Sequence, residues 1–180
     1  DIDVEYISNI FFSMGRLHEI KRFDILIDAF NLYHTENKNA KLLIAGADDG
    51  VKDKLLDQID KLGLNESIFL IGLVDFHQKK ELLSNSSVFA LSSEFESFGI
   101  VVAEALACGL PIVVSDKTAW KDIIKNNCGI FAVNRKEDFF KALNQIKKQD
   151  FIASNSKKFV KENYDWDIIS DKFLNLITKK

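Results

Sequence analysis

The chain has 180 residues, of which 47% are hydrophobic and 28% are charged, a balance that is ordinary for a globular protein with one hydrophobic core. Its formal net charge of -3 gives no electrostatic footprint for binding nucleic acid or an anionic membrane. No apolar run reaches the roughly 20 residues that span a bilayer, and residues 1–9 do not resemble a signal peptide.

Cysteine content and the first residue give two further expectations. Cys108 and Cys128 are too few for a disulfide framework, so we expect a reducing compartment. The chain begins with Asp1 rather than Met, which fits a piece of a longer protein.

Short apolar segments alternate with amphipathic ones along most of the chain. The apolar segments predict six strands, at residues 9–14, 41–45, 67–71, 88–91, 111–115 and 129–133. Helical spacing predicts helices at residues 23–33, 55–62, 78–83, 99–109 and 120–125. His77 is expected in a loop. After residue 135 only helical patterns follow, in stripes at residues 139–146, 159–164 and 166–177, and we expect these helices to cover the sheet.

This alternation predicts a Rossmann-like, three-layer α/β/α domain with a parallel sheet of about six strands. Such sheets bind ligands at the carboxyl ends of their strands. The residues that follow the predicted strands hold most of the glycines and many polar side chains, at residues 15–16, 46–49, 72–75, 92–96 and 115–116. We therefore expect a binding site at that edge.

Two cations lie in the loop after the first predicted strand. Gly15 allows a sharp turn, and Arg16 and Lys21 follow it. An Arg fork and a Lys point charge together suit a diphosphate. The alternative is an ordinary solvated loop in a lysine-rich protein.

Glu104 is the anomaly of the sequence, since it is the one charged residue in the apolar run 99–114. A buried charge costs several kcal/mol unless it is paired. Residues 97–99 are expected to open a helix whose free N–H groups attract an anion, with Glu96 in the preceding loop. Two carboxylates beside an anion site suit a ligand with both phosphate and hydroxyl groups, namely a nucleotide-sugar. The alternative places Glu96 as a helix N-terminal charge and Glu104 on an exposed stripe.

Other features favour structural roles. The sequence has no HxH, HExxH or CxxC spacing for a metal, and Asp48-Asp49 before Gly50 is expected to form a turn or helix cap. His18 lies between the two site cations and is a candidate lining residue. Trp120, Tyr164 and Trp166 are interpreted as packing residues.

Three stretches carry a resemblance to a known family, the group 1 (family 4) retaining glycosyltransferases: residues 15–21 (GRLHEIK), 69–72 (FLIG) and 96–116 (ESFGIVVAEALACGLPIVVSD). The signature of that family is two glutamates separated by seven residues, as Glu96 and Glu104 are. The resemblance extends from about residue 9 to about residue 166.

The resemblance implies one half of a GT-B fold. Residues 1–180 would form a single nucleotide-sugar-binding domain, the C-terminal donor domain, and the N-terminal acceptor domain would be absent from this chain. The full-length enzyme would transfer a sugar from a nucleoside-diphosphate sugar to a glycan or lipid-linked acceptor, with retention of configuration and without a metal or other cofactor. It would be a cytoplasmic hexosyltransferase of polysaccharide biosynthesis. With a lipid-linked acceptor, it would act at the cytoplasmic face of the membrane.

The resemblance also assigns roles to residues. Arg16 and Lys21 would neutralise the diphosphate, Glu96 would contact the sugar, and these three are the implied catalytic residues. Glu104 would bind the ribose hydroxyls. The implied donor-binding set is Gly15, Arg16, Lys21, Ile71, Gly72, Val74, Glu96, Phe98, Gly99, Ile100 and Glu104.

The chain departs from the family pattern after the fifth predicted strand. The family often has Gly-Gly there, whereas this chain has Thr118-Ala119, and Ser92 stands where Pro is common. Two alternative functions remain open. One is another GT-B enzyme, such as a sugar-nucleotide epimerase or a phosphorylase, and the other is a non-catalytic interaction module that keeps the fold.

Overall fold

In the computed structural model, which describes residues 9–149 and 151–178, six strands form a parallel sheet. The strands are β1 (Ile10–Met14), β2 (Lys41–Ala45), β3 (Ile68–Gly72), β4 (Val88–Leu91), β5 (Ile112–Ser115) and β6 (Gly129–Ala132). They lie in the order β3-β2-β1-β4-β5-β6. The chain thus moves outward from β1 to β3 and then crosses back to β4. The point between β1 and β4 is the topological switch point at which sheets of this kind bind ligands.

Helices cover both faces of the sheet. They are α1 (Phe23–Glu36), α2 (Lys52–Lys61), α3 (Phe76–Asn85), α4 (Ile100–Cys108), α5 (Lys136–Lys148), α6 (Ala153–Tyr164) and α7 (Trp166–Thr178). The apolar sides of α1, α2 and α5 form one core cluster with the sheet, and those of α3, α4 and α6 form a second. The predicted Rossmann-like α/β/α class is confirmed.

The strand predictions agree with the structure to within one residue at each end, because each strand is a short apolar run that ends in a turn. The helix predictions are less accurate. Helix α3 begins two residues earlier than predicted and includes His77, so the loop prediction for His77 is wrong. Asp75 and Gln78 form a reciprocal capping box that starts this helix upstream. The helix predicted at residues 120–125 is only a three-residue 3-10 turn, Lys121–Ile123.

The last helix does not cover the sheet, which corrects the expectation for residues 166–177. Helix α5 packs on α1 and β6, and α6 packs on α4, whereas α7 packs beside α6. None of the residues of α7, all of which the structure describes, is buried. Trp166 is 78% exposed, and Phe173 is also exposed. Apolar spacing predicted the helix correctly but could not tell where its apolar side packs.

Within the described residues, no helix combines the length and the apolar character needed to cross a membrane.

Candidate functional site

The carboxyl edge of the sheet contains a close approach between two glycines. Gly15 follows β1 and Gly46 follows β2, and a Cβ atom on Gly46 would lie 1.8 Å from the carbonyl oxygen of Gly15. Gly46 also has a φ of 153°, which L side chains rarely adopt. Its N–H donates to the carbonyl of Gly72, at the end of β3, over 2.7 Å. Position 46 therefore requires glycine so that the ends of β1, β2 and β3 can meet.

The loop after β1 turns back as a 3-10 helix, Glu19–Lys21. His18 caps this turn, since its Nδ1 atom accepts a hydrogen bond from the N–H of Ile20 at 3.2 Å. Arg22 ends the turn with a φ of 49°, a left-handed conformation that costs a non-glycine residue about 1–2 kcal/mol. Its guanidinium binds the Asp24 carboxylate through two 3.0 Å hydrogen bonds, and these raise the pKa of Arg22. His18 thus serves the backbone of its own loop.

The same loop is tied to the segment after β4. The buried Ser92 hydroxyl lies 2.9 Å from the carbonyl of Lys21 and 2.8 Å from that of Arg22, to which it donates. The N–H of Glu94 donates to the carbonyl of Ile20 at 2.7 Å. Because β1 and β4 are neighbours, these bonds hold two loops together across the switch point.

Lys21 and Glu96 form an ion pair at this junction. The Nζ atom of Lys21 lies 2.5 Å from Oε2 of Glu96, and the two side chains are only 17% and 15% exposed. The Ser93 hydroxyl donates to the same oxygen at 3.3 Å. The structure thus brings together two of the residues predicted to be catalytic, and it provides each with an opposite charge.

Gly99 separates Glu96 from helix α4. It is the N-cap residue of α4 with a φ of 71°, and a Cβ atom there would lie 2.8 Å from Cγ of Glu96. The first helical hydrogen bond runs from the N–H of Val102 to the carbonyl of Gly99. The N–H groups of Gly99 and Ile100 precede it and are not used by the helix itself. A partial positive charge therefore lies beside the Glu96 side chain.

Glu104 has a polar partner that the sequence did not indicate. Its Oε1 atom lies 2.5 Å from Nζ of Lys79 on α3, and the two side chains are 30% and 20% exposed. The pair joins α3 to α4 and resolves the lone carboxylate of the apolar run. It also leaves Glu104 partly open to solvent, so the side chain is accessible to a ligand.

Arg16 lies at the same edge but points elsewhere. Its Nη1 atom lies 2.5 Å from Oδ2 of Asp49, in the loop after β2, and the Arg16 side chain is 70% exposed. The prediction that Arg16 and Lys21 share one loop is confirmed, but they face different carboxylates. Asp48, next to Asp49, accepts hydrogen bonds from the N–H groups of Gly50 and Lys52, as expected of a turn.

The segment after β3 lines a groove of about 260 Å³ between the edge strand and α3. Ile71 and Val74 contribute from the predicted set, together with Leu73, Gln78, Glu81, Leu82 and Asn85. Gly72 has a φ of 74° and open space around its α-carbon. The groove extends along α3 well beyond residues 71–74.

The segment that replaces Gly-Gly forms a tight turn after β5. The Thr118 hydroxyl, which is buried, donates to the carbonyl of Ser115 at 3.0 Å. This turn carries Trp120 back toward α4, where its indole Nε1–H donates to the carbonyl of Phe98 at 2.5 Å. The interpretation of Trp120 as a buried packing residue is confirmed, and it also makes a specific hydrogen bond.

Within residues 9–149 and 151–178, no group of three His, Cys, Asp or Glu side chains is placed to hold a metal ion. Glu96 and Glu104 are each paired with a lysine.

The family model for glycosyl transferases group 1 matches residues 6–166 of the chain. The chain belongs to this family. An uncharacterized glycosyltransferase of Methanocaldococcus jannaschii is 34% identical over 169 residues, which are 91% of this chain and 43% of the relative. A GDP-mannose-dependent alpha-(1-6)-phosphatidylinositol dimannoside mannosyltransferase of Mycobacterium tuberculosis is 32% identical over 73% of this chain and 34% of that protein.

Solved structures agree on the fold of this glycosyltransferase chain. An Anabaena protein crystallised with UDP superposes with a TM-score of 0.83 at 22% identity, over 95% of this chain and 49% of that one. The sheet and helices are thus those of GT-B glycosyltransferase structures. The chain spans less than half the length of each of the three proteins compared.

Proposed function

We propose that this chain is the donor-binding half of a retaining GT-B glycosyltransferase. Its ligand would be a nucleoside-diphosphate sugar, bound between the loop after β1 and the start of α4. The observation that supports the proposal is the Lys21–Glu96 pair next to Gly99, since a cation, a carboxylate that could accept from hydroxyl groups and the N–H groups at the start of α4 lie side by side. The Anabaena neighbour, crystallised with UDP and with UDP-glucose, supports a ligand of this class.

Charge explains how these groups would promote the reaction. The bond between the anomeric carbon and the phosphate oxygen breaks, and the nucleoside diphosphate leaves with the electron pair. Negative charge therefore grows on the distal phosphate. Lys21, Arg16 and the N–H groups at the start of α4 stabilise the developing charge more than the ground state, and this lowers the barrier. The acceptor oxygen bonds to the anomeric carbon with retention of configuration, and its proton passes to the departing diphosphate.

The Lys21–Glu96 pair has a further role in this scheme. In the free chain, Glu96 balances Lys21, which avoids an isolated, half-buried cation. A bound diphosphate would share Lys21 with Glu96, and the carboxylate would then accept hydrogen bonds from sugar hydroxyls. We assign Glu96 to positioning the sugar rather than to nucleophilic attack.

The remaining predicted residues complete the site. Glu104 would bind the ribose hydroxyls, and residues 71–74 would adjoin the base. We propose that no metal is needed, since the diphosphate charge is met by Arg16, Lys21 and backbone N–H groups. The acceptor, a glycan or a lipid-linked sugar, would bind a second domain. A cytoplasmic location, at the membrane face for a lipid-linked acceptor, fits the two unpaired cysteines.

Calorimetry with UDP-glucose, GDP-mannose and ADP-glucose tests the proposal. We expect one of the three to bind, and Arg16→Ala to weaken that binding about tenfold, the effect of losing a charged contact of about 1.5 kcal/mol. Arg135→Ala is the matched control, because Arg135 is also exposed and also pairs with an aspartate, Asp138. If the folded chain binds none of the three, the proposal is wrong.

A further inference from the structure

We propose that Trp120 is a positioning residue for the donor phosphates, acting through the backbone at the start of α4. This inference rests on the proposed function and adds a residue to it. The geometry that points to Trp120 is the hydrogen bond from its indole to the carbonyl of Phe98, the residue just before Gly99.

The hydrogen bond fixes one peptide group. Trp120 is only 2% exposed, so its Nε1–H has no access to water and the 2.5 Å bond to Phe98 satisfies it. In a trans peptide the C=O and the following N–H point in opposite directions, and the described residues contain no cis peptide. Holding the Phe98 carbonyl toward the indole therefore directs the N–H of Gly99 away from it.

That N–H is one of the groups proposed to meet phosphate. Gly99 would otherwise be free to rotate, since it has no Cβ and already adopts a φ of 71°. A glycine at this position permits many backbone conformations, and only some of them aim the N–H groups together. The bond from Trp120 selects one of them before the ligand arrives, which reduces the entropy lost on binding.

An aromatic cluster holds the indole itself in place. The rings of Phe98, Trp120 and Tyr164 lie with centroids 5.0 to 5.4 Å apart, and Phe159 packs on Tyr164 at 5.8 Å. Burial raises the pKa of the Tyr164 hydroxyl, and nearby Asp122 raises it further. Because Tyr164 and Phe159 belong to α6, the cluster links the start of α4 to that helix.

The opposite end of α4 is also fixed by α6. A Cβ atom on Gly109, just after α4, would lie 2.9 Å from Cβ of Ala153, the first residue of α6. The two helices therefore run antiparallel in close contact, with Tyr164 at the start of α4 and Ala153 at its end. Helix α6 thus contacts α4 at both ends, so we assign the indole to the local geometry of residues 98–99 rather than to the placement of the whole helix.

A purely structural Trp120 would behave differently from a positioning one. Loss of packing would lower stability and would affect all ligands alike. Loss of the indole N–H would release the Phe98–Gly99 peptide and would affect ligands that carry phosphates. The measurement therefore compares two affinities. One is for the nucleoside diphosphate of the donor that calorimetry identifies, and the other, measured by NMR titration, is for its parent nucleoside.

We expect Trp120→Phe to weaken binding of the diphosphate about tenfold, the effect of losing one hydrogen bond, and to change nucleoside binding less than twofold. Phe159→Leu is the control, because it removes packing from the same cluster without touching the Phe98 carbonyl. We expect it to lower the melting temperature and leave the diphosphate-to-nucleoside ratio unchanged. If Trp120→Phe does not fold, 3-benzothienylalanine at position 120 keeps both fused rings, removes the N–H and gives the same comparison.

The outcomes separate the two proposals. A wild-type chain that binds none of the sugar nucleotides or their diphosphates overturns the proposed function, and the role of Trp120 with it. A wild-type chain that binds the diphosphate, with an unchanged ratio in the variant that lacks the N–H, overturns the role of Trp120 alone.

Discussion

Two lysine–carboxylate pairs determine the character of the site at the level of single residues. In one pair Lys21 binds Glu96, and in the other Lys79 binds Glu104. The sequence motifs predicted both carboxylates at the site, but they did not predict that Lys79 would be the partner of Glu104. Lys79 lies 25 residues before Glu104 and has no periodic relation to it. The role of Lys79 becomes visible only when α3 and α4 pack together, so the sequence indicated both residues of the first pair and only Glu104 of the second.

Glu104 allows a test of the ribose assignment. We expect Glu104→Gln to weaken binding of the nucleoside diphosphate about tenfold or more, because a hydrogen bond to a charged group contributes about 1.5–3 kcal/mol. Binding of the 2′,3′-dideoxy analogue, which lacks both ribose hydroxyls, should change less than twofold. Calorimetry with the two nucleotides gives the comparison.

The control for this test is Glu162→Gln on α6, since Glu162 also pairs with a lysine, Lys158, and is part of no predicted site. Equal loss of affinity for both nucleotides in Glu104→Gln would show that the Lys79–Glu104 pair shapes the site without contacting ribose.

At the level of elements, the strands followed from the sequence because their signal is local, whereas their order in the sheet did not. Apolar runs that end at glycine or a polar residue gave all six strands, and alternation with helices gave a parallel sheet. The close approach of Gly46 to Gly15 could not be predicted, since it depends on strands from different parts of the chain. The capping box of α3 was present in the sequence as Asp75 and Gln78, and it would have given the correct start of that helix.

The approach of the two glycines leads to a prediction for stability. We expect Gly46→Ala to lower the free energy of unfolding by roughly 3 kcal/mol, from backbone strain and a Cβ in contact with the Gly15 carbonyl. Gly63→Ala is the matched control. Gly63 also has a positive φ, of 66°, but a Cβ there would meet nothing within 4 Å. The Gly63→Ala substitution should lower the free energy of unfolding by about 1 kcal/mol.

Urea denaturation of both variants measures the difference. If they lose equal stability, the strain at Gly46 is that of its φ alone, and the three strand ends do not need to approach so closely.

At the scale of the whole molecule, the chain is shorter than the relatives that it matches. The chain spans 43% of the Methanocaldococcus relative and 34% of the mycobacterial one. The single-domain assignment of residues 1–180 and the missing acceptor domain remain predictions. The exposed apolar side of α7 corrects the expectation for the last of the terminal helices, whereas α5 and α6 do cover the sheet.

We expect the isolated chain to bind its donor and to transfer no sugar. The described site offers groups for a diphosphate and a sugar on one side only, so an acceptor hydroxyl would not be held near the anomeric carbon. The measurement is release of nucleoside diphosphate from the selected donor, with simple methyl glycosides as acceptors.

The full-length mycobacterial mannosyltransferase, supplied with GDP-mannose and its phosphatidylinositol dimannoside acceptor, serves as the positive control for the assay. Sugar transfer by the 180-residue chain alone would contradict the half-enzyme proposal.

The position of β1 in the sheet has a consequence for how this chain is made. The first strand of the described chain to be synthesised is an inner strand, and its contact from Ser13 to Ala90 spans 77 residues. On the ribosome, one edge of β1 therefore stays unpaired until β4 has emerged, at a usual synthesis rate of about 5–20 residues per second. During that interval β2 is the one strand paired with β1, while Phe11 already has Phe30 and Tyr33 of α1 to pack against. Because the segment with Glu96 follows β4 directly, the second partner of β1 and half of the proposed site emerge together, and both form in the same step.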